Sequence, residues 1–230
     1  MSVLPEPVDT ARIREDLCRV GRSLFERGYV HGTTGNISVR LGHGSGFLIT
    51  PTDACLGFLE PEKLAWVDDQ GEQRSGDRAS KTLSLHRQIY QHAPEAHCVI
   101  HTHSSHLVEL TLRGVWHKDD IVPPLTPYYV MKVGHVPLVP YFRPGALQVA
   151  EQVAQLIEAY RSRGLALRAV MCERLGPQVW GPNLIATMAV LEELEETARL
   201  WLSCLRSGQQ LQPLSEVAIE ELRQHFKASW

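Results

Sequence analysis

The chain has 230 residues, 43% of them hydrophobic and 21% charged, enough to bury one substantial core, and we expect a single domain over 1–230. A formal net charge of -3 leaves no basic excess to neutralise a nucleic-acid backbone, so nucleic acid is not an expected partner. The opening MSVLPEPVDT has two acidic residues and two prolines where a leader would be basic and then apolar, and no stretch reaches the roughly 18 apolar residues of a membrane span. The expectation is a cytoplasmic protein with no membrane attachment.

Asp9 to Arg27 carries apolar residues at Ile13, Leu17, Val20 and Leu24, a helical period closed by Gly28. NISVR and FLIT follow as short strands around the turn-like LGHGSG, and LAWVDDQGEQ reads as a hairpin. Ser80 to Gln91 returns to a helical pattern, HCVIHTH reads as a buried strand, and Ser104 is placed to cap a short helix to about Leu112. Residues 113–145 are proline-rich and contain VPLVPY, which suits an edge strand. A helix over Ala146–Arg161 precedes two strands, LALRAVMC and QVWG. Asn183 then caps a long helix over Leu184–Leu205, and a last helix begins near Ser215. The fold class is α/β of the α+β type: a mostly antiparallel central sheet flanked by helices.

The five cysteines, Cys18, Cys55, Cys98, Cys172 and Cys204, are scattered and never spaced CxxC, so they read as buried thiols. His101-Thr102-His103 ends an apolar run. If the strand continues through it, both imidazoles point to one face and can share a divalent ion, although eleven histidines also allow such a pair by chance. Gly32-Thr33-Thr34-Gly35-Asn36 suits an anion-binding nest with Thr hydroxyls and the Asn amide as extra donors; it equally suits a tight helix-to-strand turn. Ser80 and Lys81 stand at an expected helix start, where free N–H groups favour phosphate, or where Ser80 is simply the cap. His86 reads as a packed helix histidine. His31, His43, His92, His97 and His135 read as surface or structural, and the acidic run at 192–196 as the solvated face of a helix.

In order along the chain, GTTGNISVR, LITPT, SGDRASKTLSLH, VIHTHS, TPYYVMKVGHVPLVPYFRPG, LGPQVWG and LEELEETARL resemble the class II aldolase/adducin family, most closely its branch of 3-oxo-tetronate 4-phosphate decarboxylases. The resemblance implies a three-layer α/β/α fold and a metal-dependent carbon–carbon lyase, decarboxylase or aldolase, acting on a small sugar phosphate through an enediolate. It implies a homo-oligomer, by family likeness a tetramer. It assigns Asn36, Thr52, Ser80 and Lys81 to the phosphate, and His101 and His103 to a divalent metal, expected to be zinc. Tyr128 takes the place of the family tyrosine that handles the proton, with Tyr129 as the near alternative and an interface aromatic as the other reading.

Two positions depart from the family pattern. Thr82 stands where an SKE-type motif has the catalytic carboxylate, and a hydroxyl is no base near neutral pH. Leu175 stands where an NHGP-type turn has the third metal histidine, leaving two ligands unless Glu173, on the same face if its strand continues, replaces it. Asp53 stands where relatives usually have glycine, and its negative charge repels a phosphate there unless Lys81 or another cation offsets it. The rival expectation is a silent relative that binds a phosphorylated ligand or a protein partner.

Overall fold

Apolar runs such as Cys98-Val99-Ile100 leave no polar face, so the strands they form must be covered on both sides. The computed structural model, which describes residues 10–42, 44–208 and 211–230, shows this arrangement. Its elements in order are α1 (Thr10–Glu26), β1 (Asn36–Arg40), β2 (Phe47–Ile49), β3 (Ala65–Val67), β4 (Gln73–Ser75), α2 (Leu83–His92), β5 (Cys98–His101), α3 (Ser105–Arg113), β6 (Leu138–Val139), α4 (Leu147–Ser162), β7 (Ala169–Cys172), β8 (Gly176–Gly181), α5 (Leu184–Ser207) and α6 (Glu216–Phe226). The strands form one eight-stranded sheet in the order β4-β3-β2-β1-β5-β8-β7-β6, antiparallel except for the β6–β7 pair. Proline-flanked β6 is an edge strand, as its sequence suggests.

Alternate residues of the inner strands enter opposite cores, while edge strand β4 is exposed throughout. Leu48, Trp66, Ile100, Met171 and Val179 pack with α1, α3 and α5. Phe47, Ile49, Val99, Val170 and Trp180 pack with α2 and α4 on the other face. The result is the three-layer α/β/α architecture, with fully buried isoleucines on both sides. Among the described residues no helix is long and apolar enough to cross a membrane. Residues 1–9 and His43 lie outside the described residues, so the expectations attached to them stay with the sequence.

Several local expectations are corrected. Helix α2 begins at Leu83 with Thr82 at its cap position, because Ser80 is held to Thr50 by a backbone bridge of 3.2 Å and cannot enter the helix. Strand β5 stops at His101, so Thr102 and His103 lie beyond it. Ser104 occupies the α3 cap position but forms no cap; its hydroxyl pairs with that of Thr102 at 2.6 Å. The run at 192–196 is not merely solvated. Glu195 is only 8% exposed and its carboxylate accepts from the His106 and Leu107 amides at 3.0 and 3.1 Å and from His106 Nδ1 at 2.8 Å. A residue of α5 thus satisfies the open N–H groups of α3, although burial raises its carboxyl pKa. A π-helical turn, Tyr129–Val133, and two 3-10 turns, Leu56–Phe58 and Pro61–Lys63, have no periodic signature in the sequence.

Glu195→Ala strips two amides at the start of α3, one of them buried, and a histidine of their acceptor at once. We expect a loss of about 2–4 kcal/mol, read as a lower urea midpoint with unchanged slope, since charged hydrogen bonds are worth roughly 1.5–3 kcal/mol each and orphaned donors add to that.

Candidate active site

Asn36 opens β1 and lies opposite His101 in the β1–β5 register; His101 in turn lies opposite Gln178 in β8. Paired residues of antiparallel strands share a face, so this row places an amide beside an imidazole on the α2 side of the sheet. Close approach at that corner requires Gly35, whose φ is +83° and where a Cβ would lie 2.9 Å from the His101 carbonyl oxygen. Gly176 has the same function at β8: a Cβ there would lie 1.9 Å from the Thr102 oxygen, in the turn that carries His103 away from the strand.

A cavity of about 300 Å³ lies over this row. Its walls include Asn36, Thr52, Ser80, Lys81, Thr82, His101 and His103, so seven of the eight residues assigned to the site, all but Tyr128, meet in one place, and Leu175 lines the cavity beside them. Pro144 and Gly145 close it from the loop after β6.

Its donors are of unequal use. Thr34 is committed to its own turn, accepting from the His31 amide at 3.1 Å and donating to the His31 carbonyl at 2.6 Å, so the expected donor from this hydroxyl is not available. The Thr52 amide bonds to the Arg78 carbonyl at 2.8 Å while its side chain lines the cavity. Ser80 and Thr82 hydroxyls lie 3.0 Å apart. Lys81 and Asp53 form an ion pair at 3.2 Å, both largely exposed, and Asp53 sits at φ +56°, the left-handed region in which glycine is the ordinary occupant. The negative charge at Asp53 is therefore offset, at the cost of occupying the one Lys or Arg among the lining residues.

The two imidazoles converge, with ring centroids 4.9 Å apart, although the reason is the turn at Thr102 and not a continued strand. His101 is buried and its Nδ1–H donates to the Pro177 carbonyl at 2.8 Å, leaving Nε2 as the lone pair, the arrangement that orients a metal-binding histidine. Burial, the neighbouring His103 and, in opposition, the Pro177 bond bring its pKa down to about 3. Burial and His31 also lower that of His103. His31, expected to be incidental, stands with its ring 6.3 Å from that of His103; nothing in the sequence spacing signals this contact.

Glu173 does not complete a ligand set. Strand β7 ends at Cys172, Arg174 turns at φ +63°, and the Glu173 carboxylate accepts from the Tyr141 amide at 3.0 Å. Among the described residues no group of three or more His, Cys, Asp or Glu side chains has the geometry to hold a metal ion. Tyr128 is 57% exposed, faces Lys132 and does not line the cavity of its own chain. Tyr129, the near alternative, is fully buried with its hydroxyl unpartnered, so it cannot exchange a proton with a ligand.

A phosphate-scale cradle of hydroxyls and an amide facing two neutral imidazoles, on a three-layer sheet, defines a lyase of the aldolase type. The model of the Class II Aldolase and Adducin N-terminal domain matches residues 15–202, and the chain belongs to the class II aldolase and adducin family. It is 52% identical over 222 residues to a 3-oxo-tetronate 4-phosphate decarboxylase of Cupriavidus necator, covering 96% of this chain and 98% of that one. A protein of the same name from Escherichia coli K12 is 39% identical over 188 residues, 82% of this chain and 85% of that one. Among solved structures, YgbL from Klebsiella pneumoniae superposes with a TM-score of 0.85 at 38% identity, covering 94% of this chain and all of the other. An L-fuculose 1-phosphate aldolase at 22% identity shares the fold with a TM-score of 0.80, covering 94% of this chain and 96% of that one.

His86 and His101 fix a pH signature. Both are buried and neutral, with pKa values lowered from 6.5 to about 3, by burial first in each case. The unfolded chain binds these protons near pH 6.5 and the folded chain does not, so their stabilisation is complete above that pH and is lost as pH falls from 6.5 towards 3. Each group contributes a slope of up to about 1.4 kcal/mol per pH unit in that window. Urea midpoints of chelator-treated protein should fall steeply between pH 6.5 and 5; a flat profile would mean that the rings are charged in the fold.

Proposed function

We propose that this lyase decarboxylates a 3-oxo-tetronate 4-phosphate, with Asn36, Thr52, Ser80 and Lys81 holding the phosphate end. The observation that carries the reading is the convergence of those side chains and the His101–His103 pair on one cavity of about 300 Å³, a volume suited to a four-carbon phosphorylated acid. Enzymatic relatives at high identity over nearly the whole chain favour catalysis over a silent ligand-binding member.

The chemistry of the substrate accounts for Thr82. Retro-aldol cleavage must first remove a hydroxyl proton and needs a base. A 3-oxo acid is already an ionised carboxylate at neutral pH: the bond between C1 and C2 breaks, its electron pair enters the C2–C3 enediolate, carbon dioxide leaves, and a proton from solvent at C2 completes a three-carbon ketone phosphate. No step requires the chain to accept a proton, so a hydroxyl at position 82 is compatible with decarboxylation and poorly compatible with aldol cleavage. What the pocket must supply is support for negative charge developing on the 3-oxo oxygen, which fixed donors stabilise.

The donor set fits a divalent ion at two points, His101 and His103, with His101 oriented by the Pro177 carbonyl; a closed zinc site needs more protein ligands. An ion held there, zinc on this reading, would act as a Lewis acid towards the substrate oxygens. The chain's own share is to keep both imidazoles neutral and aimed, and to anchor the phosphate. Exposed Tyr128 supports a role at a boundary with a second copy, and hence a homo-oligomer, by family likeness a tetramer. We place the protein in the cytoplasm, as one domain.

Incubation of purified protein with 3-oxo-tetronate 4-phosphate should release carbon dioxide and the three-carbon ketone phosphate in equal amounts. Binding of the substrate with no release of either would reduce the protein to a ligand binder. Asn36→Ala together with Ser80→Ala should raise KM at least about tenfold, since each lost hydrogen bond to a charged group is worth roughly 1.5–3 kcal/mol.

The second expectation concerns the two departures. Leu175 lines the cavity with both histidines, so Leu175→His places an imidazole facing theirs, and Thr82→Glu adds a carboxylate. Together they should tighten metal retention by well over about tenfold, the lower end of what even an outer-shell change does, and each alone should do less. Elemental analysis after dialysis checks this; tight stoichiometric metal in the unaltered protein and less in the double variant would show that these positions are not losses.

A further inference from the structure

Strand β1 shows Asn36 and Ser38 on one face, two residues apart, and helix α2 shows His86 and Tyr90 on one face, four apart. The two pairs meet in a chain. His86 Nε2 lies 2.6 Å from Asn36 Oδ1, His86 Nδ1 lies 2.7 Å from Ser38 Oγ, and Ser38 Oγ lies 2.7 Å from the Tyr90 hydroxyl. Ser38 and His86 are fully buried, Tyr90 is 5% exposed and Asn36 6%. Only Asn36 reaches the cavity.

The far end sets the direction. Among the described residues the Tyr90 hydroxyl has one hydrogen-bond partner, Ser38 Oγ, so its proton has one acceptor there. Tyr90 therefore donates to Ser38, and Ser38 must pass its own proton to His86 Nδ1. A neutral imidazole then carries its hydrogen on Nε2, which donates to an oxygen of Asn36. The Asn36 carboxamide is thereby turned so that its oxygen faces His86 and its NH2, which has no hydrogen-bond partner among the described residues, is left for the cavity that Asn36 lines.

We propose that Tyr90, Ser38 and His86 form a directional positioning relay that locks Asn36 as a hydrogen-bond donor to an anionic oxygen of the bound phosphorylated acid. The inference rests on the substrate reading above only for the identity of that acid. The reverse arrangement, with Asn36 presenting its carbonyl oxygen, would repel an anion and would leave the Tyr90 proton without an acceptor in a buried site.

Two measurements test it without turnover. Histidine-selective 15N NMR of the whole protein should show His86 protonated on Nε2 and bare on Nδ1. Tyr90→Phe, which removes one buried hydroxyl and keeps the ring, should scramble that tautomer and weaken binding of inorganic phosphate, by calorimetry, about three- to tenfold; with the tetronate phosphate the loss should fall on KM with kcat nearly unchanged. Ser38→Ala should act in the same direction and serves if Tyr90→Phe folds poorly. A wild-type His86 protonated on Nδ1, or a Tyr90→Phe protein with unchanged tautomer and unchanged phosphate affinity, overturns the relay. Loss of the tautomer and of phosphate affinity in a protein that never decarboxylates supports the relay and overturns only the substrate reading.

Discussion

The register of β1 against β5 is the constraint on which the site depends. With Asn36 opposite His101, and His101 opposite Gln178, three central strands deliver their polar residues to one corner of an otherwise apolar sheet. A slip of one residue would send Ile37 into the cavity and Asn36 into the core beneath α1, α3 and α5. The register is held by both cores at once, because Ile37 and Ile100 must enter one hydrophobic layer and Val99 the other. Site geometry and core packing are therefore one requirement. Glycines at 35 and 176 allow the backbone to close where a side chain would collide with a neighbouring carbonyl.

Most of this was legible because the strands and helices are strongly periodic. The period of α1, the β1 and β2 strands, the Asp68–Gly71 turn and the Asn183 cap, whose side chain accepts from the Ala186 amide at 2.8 Å, all follow from local chemistry that tertiary context reinforces. The ordered motifs gave the family and, through it, the three-layer sheet. What escaped were contacts between segments far apart in sequence. Glu195 looked like one of several exposed glutamates until its partner helix was in place, and His31 acquires meaning only beside His103. Ser80 does not open the helix its sequence suggests, because a bridge to Thr50, 30 positions away, outweighs its capping preference. The relay was half visible: Asn-x-Ser on a strand and His-x-x-x-Tyr on a helix are both one-face patterns, yet nothing in either predicts that the two faces meet.

The electrostatics of the cavity bear on the chemistry it can perform. Lys81 is the one Lys or Arg among its lining residues and it is paired with Asp53, while His101 and His103 are held towards their neutral forms. The chain thus offers almost no net charge to a ligand carrying both a phosphate and a carboxylate. On the proposed assignment, recognition beyond the paired Lys81 would rest on neutral dipoles whose geometry is fixed in advance, such as the Asn36 amide, and such donors lose little on binding because they do not reorganise. The same neutrality matters at the carboxylate that must leave. A carboxylate in a tight ion pair is stabilised before the bond breaks and released less readily, whereas Thr82 and Leu175, which line the cavity, would offer a carboxylate placed against them neither a charge nor a base. A carboxylate side chain at position 82 would repel that group and a histidine at 175 would draw an ion towards it. On the proposed reading, a hydroxyl and an isobutyl group beside that carboxylate would leave it poorly solvated, raising the ground state relative to a transition state whose charge has moved onto the 3-oxo oxygen.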